Sequence, residues 1–116
     1  MFDFEKLDVY QKIKHLNVKV YSFLNRVKTL DPYLVDQWKR ASMSILLNLA
    51  EGTGRISNSD KKHFITIARS SVFESVAILD FLKESDALDE PDFQSLYADY
   101  ETVSKMLLGM YRSYNK

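Results

Sequence analysis

The fold is decided by residues 37–54, which read QWKRASMSILLNLAEGTG. Five polar side chains recur in this stretch at steps of three or four residues. At about 100° per residue they lie within roughly 80° of one another on a helix. We call them the polar row, and its members are Gln37, Arg40, Ser44, Asn48 and Glu51. This spacing predicts a long α-helix with one polar line, which could face solvent or be sealed against another helix.

The ends of this helix carry recognisable start and stop signals. Asp31 offers an N-cap, and Pro32 is suited to the first helical position. The stretch Gly52-Thr53-Gly54 is expected to supply left-handed conformers that close a helix. We therefore predict that the second helix of the chain runs from about Pro32 to Glu51 and that a tight turn follows it.

Three further segments have apolar residues at helical spacing, and no segment alternates as a β-strand does. The first segment runs from about Phe4 to Lys28, and the third follows the capping sequence SNSD at residues 57–60 and reaches about Glu84. The last begins within residues 89–92 and continues almost to the chain end. Because the loops between them are short, we predict an all-α, antiparallel up-down-up-down four-helix bundle.

Length and composition bound the class of protein. The chain of 116 residues has the size of one domain, so we predict a single domain over residues 1–116. It has no cysteine, and no stretch predicts a signal peptide or a membrane span, so we expect a cytoplasmic protein. Sixteen Lys and Arg balance sixteen Asp and Glu, which argues against strong unspecific binding to polyanions but leaves room for a local basic patch.

The polar row has a structural interpretation. Buried polar groups must be paired, so a row of them facing the third helix would penalise slipped arrangements of the two helices. A turn centred near residues 55–56 brings Arg40 near Glu74, and Glu51 near Lys61 or Lys62. We therefore predict an ion pair between Arg40 and Glu74.

The histidines, carboxylates and serines of the chain do not have the spacing of a catalytic site or of a metal site. A di-iron centre in a helix bundle needs two Glu-x-x-His pairs and two more carboxylates, whereas this chain has only His15 and His63. The spacing Asp60-x-x-His63 is more typical of a helix cap, and Ser44 and Ser71 have no histidine placed near them by the periodicity. We expect no catalytic residue, no metal and no cofactor, and hence no enzyme.

A family resemblance is carried by residues 37–54 and by the positions that follow them, Arg55, Phe64, Ile67-Ala68, Ser71 and Glu74. With the signature Q-x-x-R-A-x-x-S-I-x-x-N-x-A-E-G, the chain resembles the small four-helix bundle proteins encoded in intervening sequences of bacterial 23S ribosomal RNA genes. The resemblance extends through nearly the whole chain, including the opening FEKLDVYQ. One departure is Ser70, where the family pattern would have glycine, and this departure could loosen helix packing there.

The resemblance implies a ring, a homopentamer of four-helix bundles with no established enzymatic activity. Relatives include the accessory protein of diversity-generating retroelements, which works with a reverse transcriptase and nucleic acid. By kinship, RNA, DNA or a nucleoprotein is therefore an expected partner, besides further copies of the chain itself.

Two sets of residues are candidates for these contacts. Arg55, Lys61 and Lys62 gather near one turn and could bind nucleic acid, although an ordinary solvated loop would have the same composition. The last helix has an apolar surface wider than one core-facing stripe requires, which suggests a subunit interface. Its candidates are Tyr97, Tyr100, Met110, Tyr111 and Tyr114, although tyrosines at a bundle edge can also lie with only their polar tips in water.

The sequence thus supports a non-enzymatic, homo-oligomeric four-helix bundle that binds nucleic acid or a nucleoprotein. The alternative is a structural protein-protein interaction module without direct nucleic-acid contact. Salt-dependent retention on RNA or DNA separates the two, because phosphate contacts lose affinity steeply with added salt.

Overall fold

A computed structural model describes residues 1–115, which form four α-helices and no β-strand. A short 3₁₀ helix, Asp3–Lys6, precedes them. The α-helices are α1 (Asp8–Arg26), α2 (Pro32–Thr53), α3 (Asn58–Glu84) and α4 (Glu90–Ser113). They pack side by side as in a bundle, with overall extents of 45 × 24 × 22 Å. The predicted all-α class is confirmed.

The starts of α2, α3 and α4 follow the capping signals in the sequence. Each cap side chain accepts a hydrogen bond from a backbone N–H of the first turn, at 2.8 Å for Asp31, 3.1 Å for Ser57 and 2.9 Å for Asp89. A proline lies in the first turn of α2 and of α4, where a missing N–H costs no helical hydrogen bond. Local chemistry therefore sets three of the four helix starts.

The first helix begins later than its apolar spacing predicts. The prediction of a helix from Phe4 is wrong, because Leu7 is extended, with φ −86° and ψ 131°, and separates the 3₁₀ helix from α1. The backbone N–H of Phe2 donates to Glu5 Oε2 at 2.8 Å and stabilises the 3₁₀ turn. At its other end α1 stops at Arg26, two residues before the predicted Lys28.

Glycines close α2 by a different mechanism from the predicted one. The described glycines all have negative φ, and Gly54, which follows the last residue of α2, has φ −84°. Gly52 is instead needed for space, because a Cβ built on it would lie 2.9 Å from Phe64 Cβ on α3. The absent side chain lets α2 and α3 approach closely just before their connecting turn. The positive φ among described non-glycine residues belongs to Asp86, between α3 and α4.

The core contains residues from all four helices. Its largest fully buried side chains include Trp38 and Leu49 of α2, Ile65 of α3, and Tyr100 of α4. The contact between α2 and α3 is the most extensive one between helices, whereas α1 contacts its two neighbours less extensively. None of the helices within residues 1–115 is long and apolar enough to cross a membrane.

Candidate nucleic-acid interface

The centre of the polar row contacts α3. Ser71 Oγ donates a hydrogen bond to Ser44 Oγ at 2.7 Å. The Ser71 side chain is buried. Asn48 Nδ2 in turn donates to the backbone oxygen and the hydroxyl of Ser44, at 2.9 and 3.0 Å. Ser44, Asn48 and Gln37 are half-buried. The middle of the row therefore lies in the α2–α3 contact.

The members of the polar row on either side of this contact, Arg40 and Glu51, face outward instead. Arg40 Nε donates to Asp36 Oδ2 at 3.1 Å, one turn away on the same helix, and the Arg40 side chain is 74% exposed. The predicted ion pair between Arg40 and Glu74 is therefore wrong. Ser71 and Ser75 form the buried side of α3, and Glu74, next to Ser75, lies on its exposed surface.

Glu51, the last member of the row, is exposed and pairs with Arg55, which lies in the turn that follows α2. Arg55 Nη2 donates to Glu51 Oε1 at 2.9 Å. The expected approach of Glu51 to Lys61 or Lys62 does not produce an ion pair within residues 1–115.

A buried polar network, which the sequence reasoning missed, lies deeper between the helices. Trp38 Nε1 donates to the Tyr100 hydroxyl at 2.8 Å, and both side chains are fully buried. Burial raises the pKa of Tyr100, whereas the polar groups of Trp38, Ser42 and Ser75 around its oxygen act in the opposite direction. Asn17 Nδ2 donates to the backbone oxygen of Ser42 at 2.7 Å. The signal was available, since Trp38 and Ser42 share a face with the apolar line of α2.

This network corrects one predicted interface residue. Tyr100 was expected to contact a neighbouring subunit, but its side chain has no exposed surface and its hydroxyl is bound to Trp38. Tyr97 is 39% exposed and lies in a hollow between α3 and α4. Met110, Tyr111 and Tyr114 are half-buried and pack against the core. These four remain candidates for a subunit contact.

The predicted basic residues lie beside aromatic rings. We call this group the turn cluster; its cations are Arg55, Lys61 and Lys62, and its rings are Phe64, Tyr114 and Tyr111. The Arg55 guanidinium carbon lies 4.5 Å from the Phe64 ring centre. Lys61 Nζ lies 5.5 Å from the Tyr114 ring centre, and Lys62 Nζ lies 5.7 Å from that of Tyr111. These distances are those of cation–π contacts.

The turn cluster joins two parts of the chain that the sequence reasoning treated separately. Its cations come from the α2–α3 turn and the start of α3, and its two tyrosines come from the end of α4. Lys62 Nζ also donates to Asn115 Oδ1 at 2.9 Å, which ties α3 to the residues after α4. Burial raises the pKa of the Tyr114 hydroxyl above its ordinary value.

The cations of the turn cluster differ in how far they are neutralised. Arg55 is paired with Glu51, whereas Lys61 and Lys62 form no ion pair with any residue between 1 and 115. Both lysines are half-buried by the rings beneath them. Next to Arg55, Ile56 is 98% exposed at the tip of the turn. The cluster therefore offers two unneutralised ammonium groups, aromatic rings and an apolar tip on one surface.

The residues weighed for metal binding and catalysis lie apart from one another. His15 and His63 are both exposed, and the ring of His63 packs edge-on against Phe64 at 5.4 Å. No group of three or more His, Asp or Glu side chains within the described part of the chain could hold a metal ion. Ser44 and Ser71 bind each other.

Comparisons with known proteins agree with the resemblance read from the sequence. A family model described as 23S rRNA-intervening sequence protein matches residues 5–109. No curated protein matches the chain. A crystal structure of a protein of unknown function from the S23 ribosomal protein family of Bacteroides thetaiotaomicron has a similar fold, with a TM-score of 0.81 and 22% sequence identity. The match covers 89% of this chain and 97% of that one.

Proposed function

We propose a function for this chain on the premise that it belongs to the family of 23S rRNA-intervening sequence proteins. It is a homo-oligomeric, non-enzymatic protein that binds nucleic acid through the turn cluster. The observation that carries this proposal is the position of Lys61 and Lys62, each over a tyrosine ring and neither paired with a carboxylate among the first 115 residues. We expect it to act in the cytoplasm, where RNA, DNA and nucleoprotein partners are present.

The chemistry of the turn cluster suits a nucleic acid. Ammonium and guanidinium groups bind phosphates and release counterions, and this release supplies most of the unspecific affinity. Aromatic side chains add stacking with unpaired bases, at about 1–3 kcal/mol for each base. The neutral net charge of the chain does not oppose this, because the relevant charge is local.

Assembly would multiply this local charge. In a closed ring every subunit presents the same surface at the same height, so a ring of five subunits, as the family resemblance implies, repeats the two unneutralised lysines five times. A single cluster is a weak binding site, whereas a ring of clusters gives avidity along one strand.

The proposal includes the direction of the four helices, which we take to be up-down-up-down. In each neighbouring pair, contacts at higher residue numbers on one helix meet lower numbers on the next, as antiparallel packing requires. The supporting contacts are Asn17 with Ser42 and Phe23 with Trp38, Ser44 with Ser71 and Gly52 with Phe64, and Arg69 with Ser104 and Lys83 with Glu90. This direction brings the end of α4 to the α2–α3 turn.

The alternative function is a protein-interaction module whose turn cluster holds an acidic protein segment. The observation that favours it is the Arg55–Glu51 pair, in which the cluster already binds a carboxylate. A guanidinium binds carboxylate and phosphate with the same geometry, so the chemistry alone permits both occupants.

Binding to a mixed pool of single-stranded and double-stranded RNA and DNA tests the proposal. The affinity, measured by filter retention between about 50 and 200 mM salt, should fall steeply with salt. The triple variant Arg55→Glu, Lys61→Glu, Lys62→Glu should lose at least about tenfold in affinity and have a shallower salt dependence. The matched control reverses three exposed cations outside the cluster, Arg26, Lys28 and Arg40, and should keep the affinity.

Equal affinity of the triple variant and the control would overturn the turn cluster as the site. If the pool is not retained at all but an acidic peptide binds and loses affinity in the triple variant, the protein-interaction alternative holds.

A further inference from the structure

The outer surface of α3 carries aromatic side chains that no other helix of the subunit covers. Phe73 and Phe81 are 59% and 58% exposed, and Ala77 lies between them at a spacing of four residues, so the three form one apolar line. Large apolar side chains are usually buried in a subunit, and a row of them rimmed by polar residues marks a contact surface.

Hollows between α3 and α4 lie on both sides of Phe73. One, of about 330 Å³, extends to Leu108 and Tyr111, and the other, of about 350 Å³, extends to Tyr97 and Val76. Pockets of about 300–1,000 Å³ hold drug-sized ligands, which are larger than one side chain. The α3 surface is therefore shaped to accept protruding apolar groups.

The charges of α3 on this surface are mainly acidic. Its cation, Arg69, lies over the Phe73 ring at 5.0 Å, lines both hollows and donates through Nε to the backbone oxygen of Ser104. Residues 70–82 of α3 include two acids, Glu74 and Asp80, and no lysine or arginine. Glu84 continues the series, whereas Lys83 is paired with Glu90 of α4. We call the whole surface the acidic stripe, and its members are Phe73, Glu74, Ala77, Asp80, Phe81 and Glu84.

A surface of opposite charge lies on α1 and α2. Residues 9–30 contain five lysines and arginines and no acid. Lys12 and Lys19 bind Asp99 of α4 and are used within the subunit. Lys14 instead borders a shallow hollow between α1 and α2, where Val18 is 61% exposed.

Further apolar groups and a second cation complete this surface. Lys39 Nζ lies 5.3 Å from the ring centre of Tyr21, which lines the same hollow. We call it the basic groove, and its members are Lys14, Val18, Tyr21, Lys39, Met43 and Leu46.

We propose that the acidic stripe of one subunit docks against the basic groove of a second copy of this chain. The proposal rests on the homo-oligomer of the proposed function and names its contact. The acids of the stripe face the cations of the groove, and exposed aromatic and aliphatic groups on both sides are removed from water. Contact of a stripe with another stripe would oppose carboxylates, so each surface needs the other.

Two different surfaces on each subunit make the contact heterologous. A heterologous contact leaves one stripe and one groove open on every dimer, so it adds further subunits and ends in a ring where the rotation between neighbours closes, as the family resemblance implies. A self-complementary contact would stop at two subunits. The two types of contact predict different results when damaged subunits are mixed.

The test uses one variant for each surface. Phe73→Glu places an acid on the acidic stripe, and Val18→Glu places one in the basic groove. Both positions are more than half exposed, so the fold should tolerate the changes, and circular dichroism checks this. Leu47→Glu is the control, because Leu47 is 57% exposed and belongs to neither surface.

Mass in solution, measured by light scattering, gives the readout. Leu47→Glu should keep the mass of the parent oligomer, and each of the other two variants should fall to the mass of one 13.5 kDa chain. When those two are mixed, the intact stripe of Val18→Glu can meet the intact groove of Phe73→Glu. The mixture should therefore form dimers that contain one subunit of each variant. A second variant with Glu74, Asp80 and Glu84 all changed to Lys, which alters only exposed charges, should also dissociate.

Several results would overturn the inference. If the three-charge variant keeps the parent mass, or if both Glu variants keep it, the contact lies elsewhere while the proposed oligomer stands. If each Glu variant is monomeric and their mixture stays monomeric, the contact is self-complementary. A parent protein that is monomeric at micromolar concentration would instead remove the oligomer of the proposed function itself.

Discussion

The helices α2 and α3 are held together differently from α1 and α4. At Gly52 the α2 backbone approaches Phe64 so closely that no Cβ fits, and Ser44 is hydrogen-bonded to Ser71 nearby. The polar contacts of α1 with α4 are instead made by the ends of Lys12 and Lys19, which reach Asp99 at 3.0 and 2.9 Å and are partly exposed. Short side chains fix a distance between backbones, whereas long flexible side chains tolerate a range of distances.

The two contacts should therefore respond differently to perturbation. A close approach between backbones has no room to adjust, so a single added carbon should be costly. A contact made by exposed lysines is screened by solvent and can rearrange.

The strongest test adds a methyl group at the closest approach. Gly52→Ala should lower the free energy of unfolding by about 1–3 kcal/mol, because its Cβ would meet Phe64 Cβ at 2.9 Å. Gly109→Ala is the matched control, since no atom lies within 4 Å of a Cβ there. That change should raise stability by about 0.5–1 kcal/mol through helix propensity. Urea denaturation measures both, and equal gains would show that the α2–α3 distance is not limiting.

A smaller effect is expected at the buried network. Tyr100→Phe leaves the Trp38 N–H buried without its acceptor and should cost about 1–2 kcal/mol. Tyr97→Phe is the control, because Tyr97 is partly exposed and no protein group within the described residues bonds its hydroxyl. Urea denaturation of the two variants compares them directly. If they are equally stable, the Trp38–Tyr100 hydrogen bond contributes nothing net.

The smallest effect is expected at the attachment of α1. Asp99→Asn should cost about 0.2–1 kcal/mol, the range of a surface ion pair, because both lysines are more than a third exposed although Asp99 is partly buried. Hydrogen exchange should become faster in α1 while the α2 and α3 amides near Gly52 keep their rates. Asp36→Asn is the control, because Asp36 pairs with Arg40 within α2 and its side chain is 60% exposed.

The same residue gives a pH dependence. Burial opposes ionisation of Asp99, but hydrogen bonds from Lys19 and Lys12 outweigh it and hold its pKa below the usual value of an aspartate. Its contribution to stability is therefore complete above the unfolded-state pKa of about 3.9 and is lost as the pH falls through the lower folded-state pKa. The difference in unfolding free energy between the parent protein and Asp99→Asn should shrink over that acidic range. A constant difference would contradict the assignment.

Local signals in the sequence were enough for most of the helix boundaries. A cap residue acts on the next three backbone N–H groups, so Asp31, Ser57 and Asp89 could be identified without knowledge of the fold. The start of α1 could not, because the extended Leu7 interrupts a run with unbroken apolar spacing. The role of Gly52 could not be predicted either, because it depends on Phe64 of another helix. A glycine before a turn is equally compatible with a left-handed residue that ends the helix and with a close contact between helices.

The candidate site was predictable by parts but not as a whole. Charge spacing identified Arg55, Lys61 and Lys62, and apolar width identified the tyrosines of α4. Periodicity could have placed Tyr100 in the core, because it belongs to a line at steps of three and four residues: Phe93, Leu96, Tyr100, Val103 and Leu107. Spacing could not show its acceptor role, which depends on Trp38, 62 residues away. The predicted up-down direction of the helices would place the end of α4 at the α2–α3 turn, so it could have indicated that Tyr111 and Tyr114 lie near that turn.

Trp38 is the single tryptophan of the chain, and its fully buried indole lies in the core, where it donates a hydrogen bond to Tyr100. Its fluorescence emission is thus an internal gauge of the core. A blue-shifted spectrum should persist when the turn cluster is occupied and move to longer wavelength when urea admits water to the indole. One optical signal can therefore follow unfolding during a binding titration, without a dye or a tag.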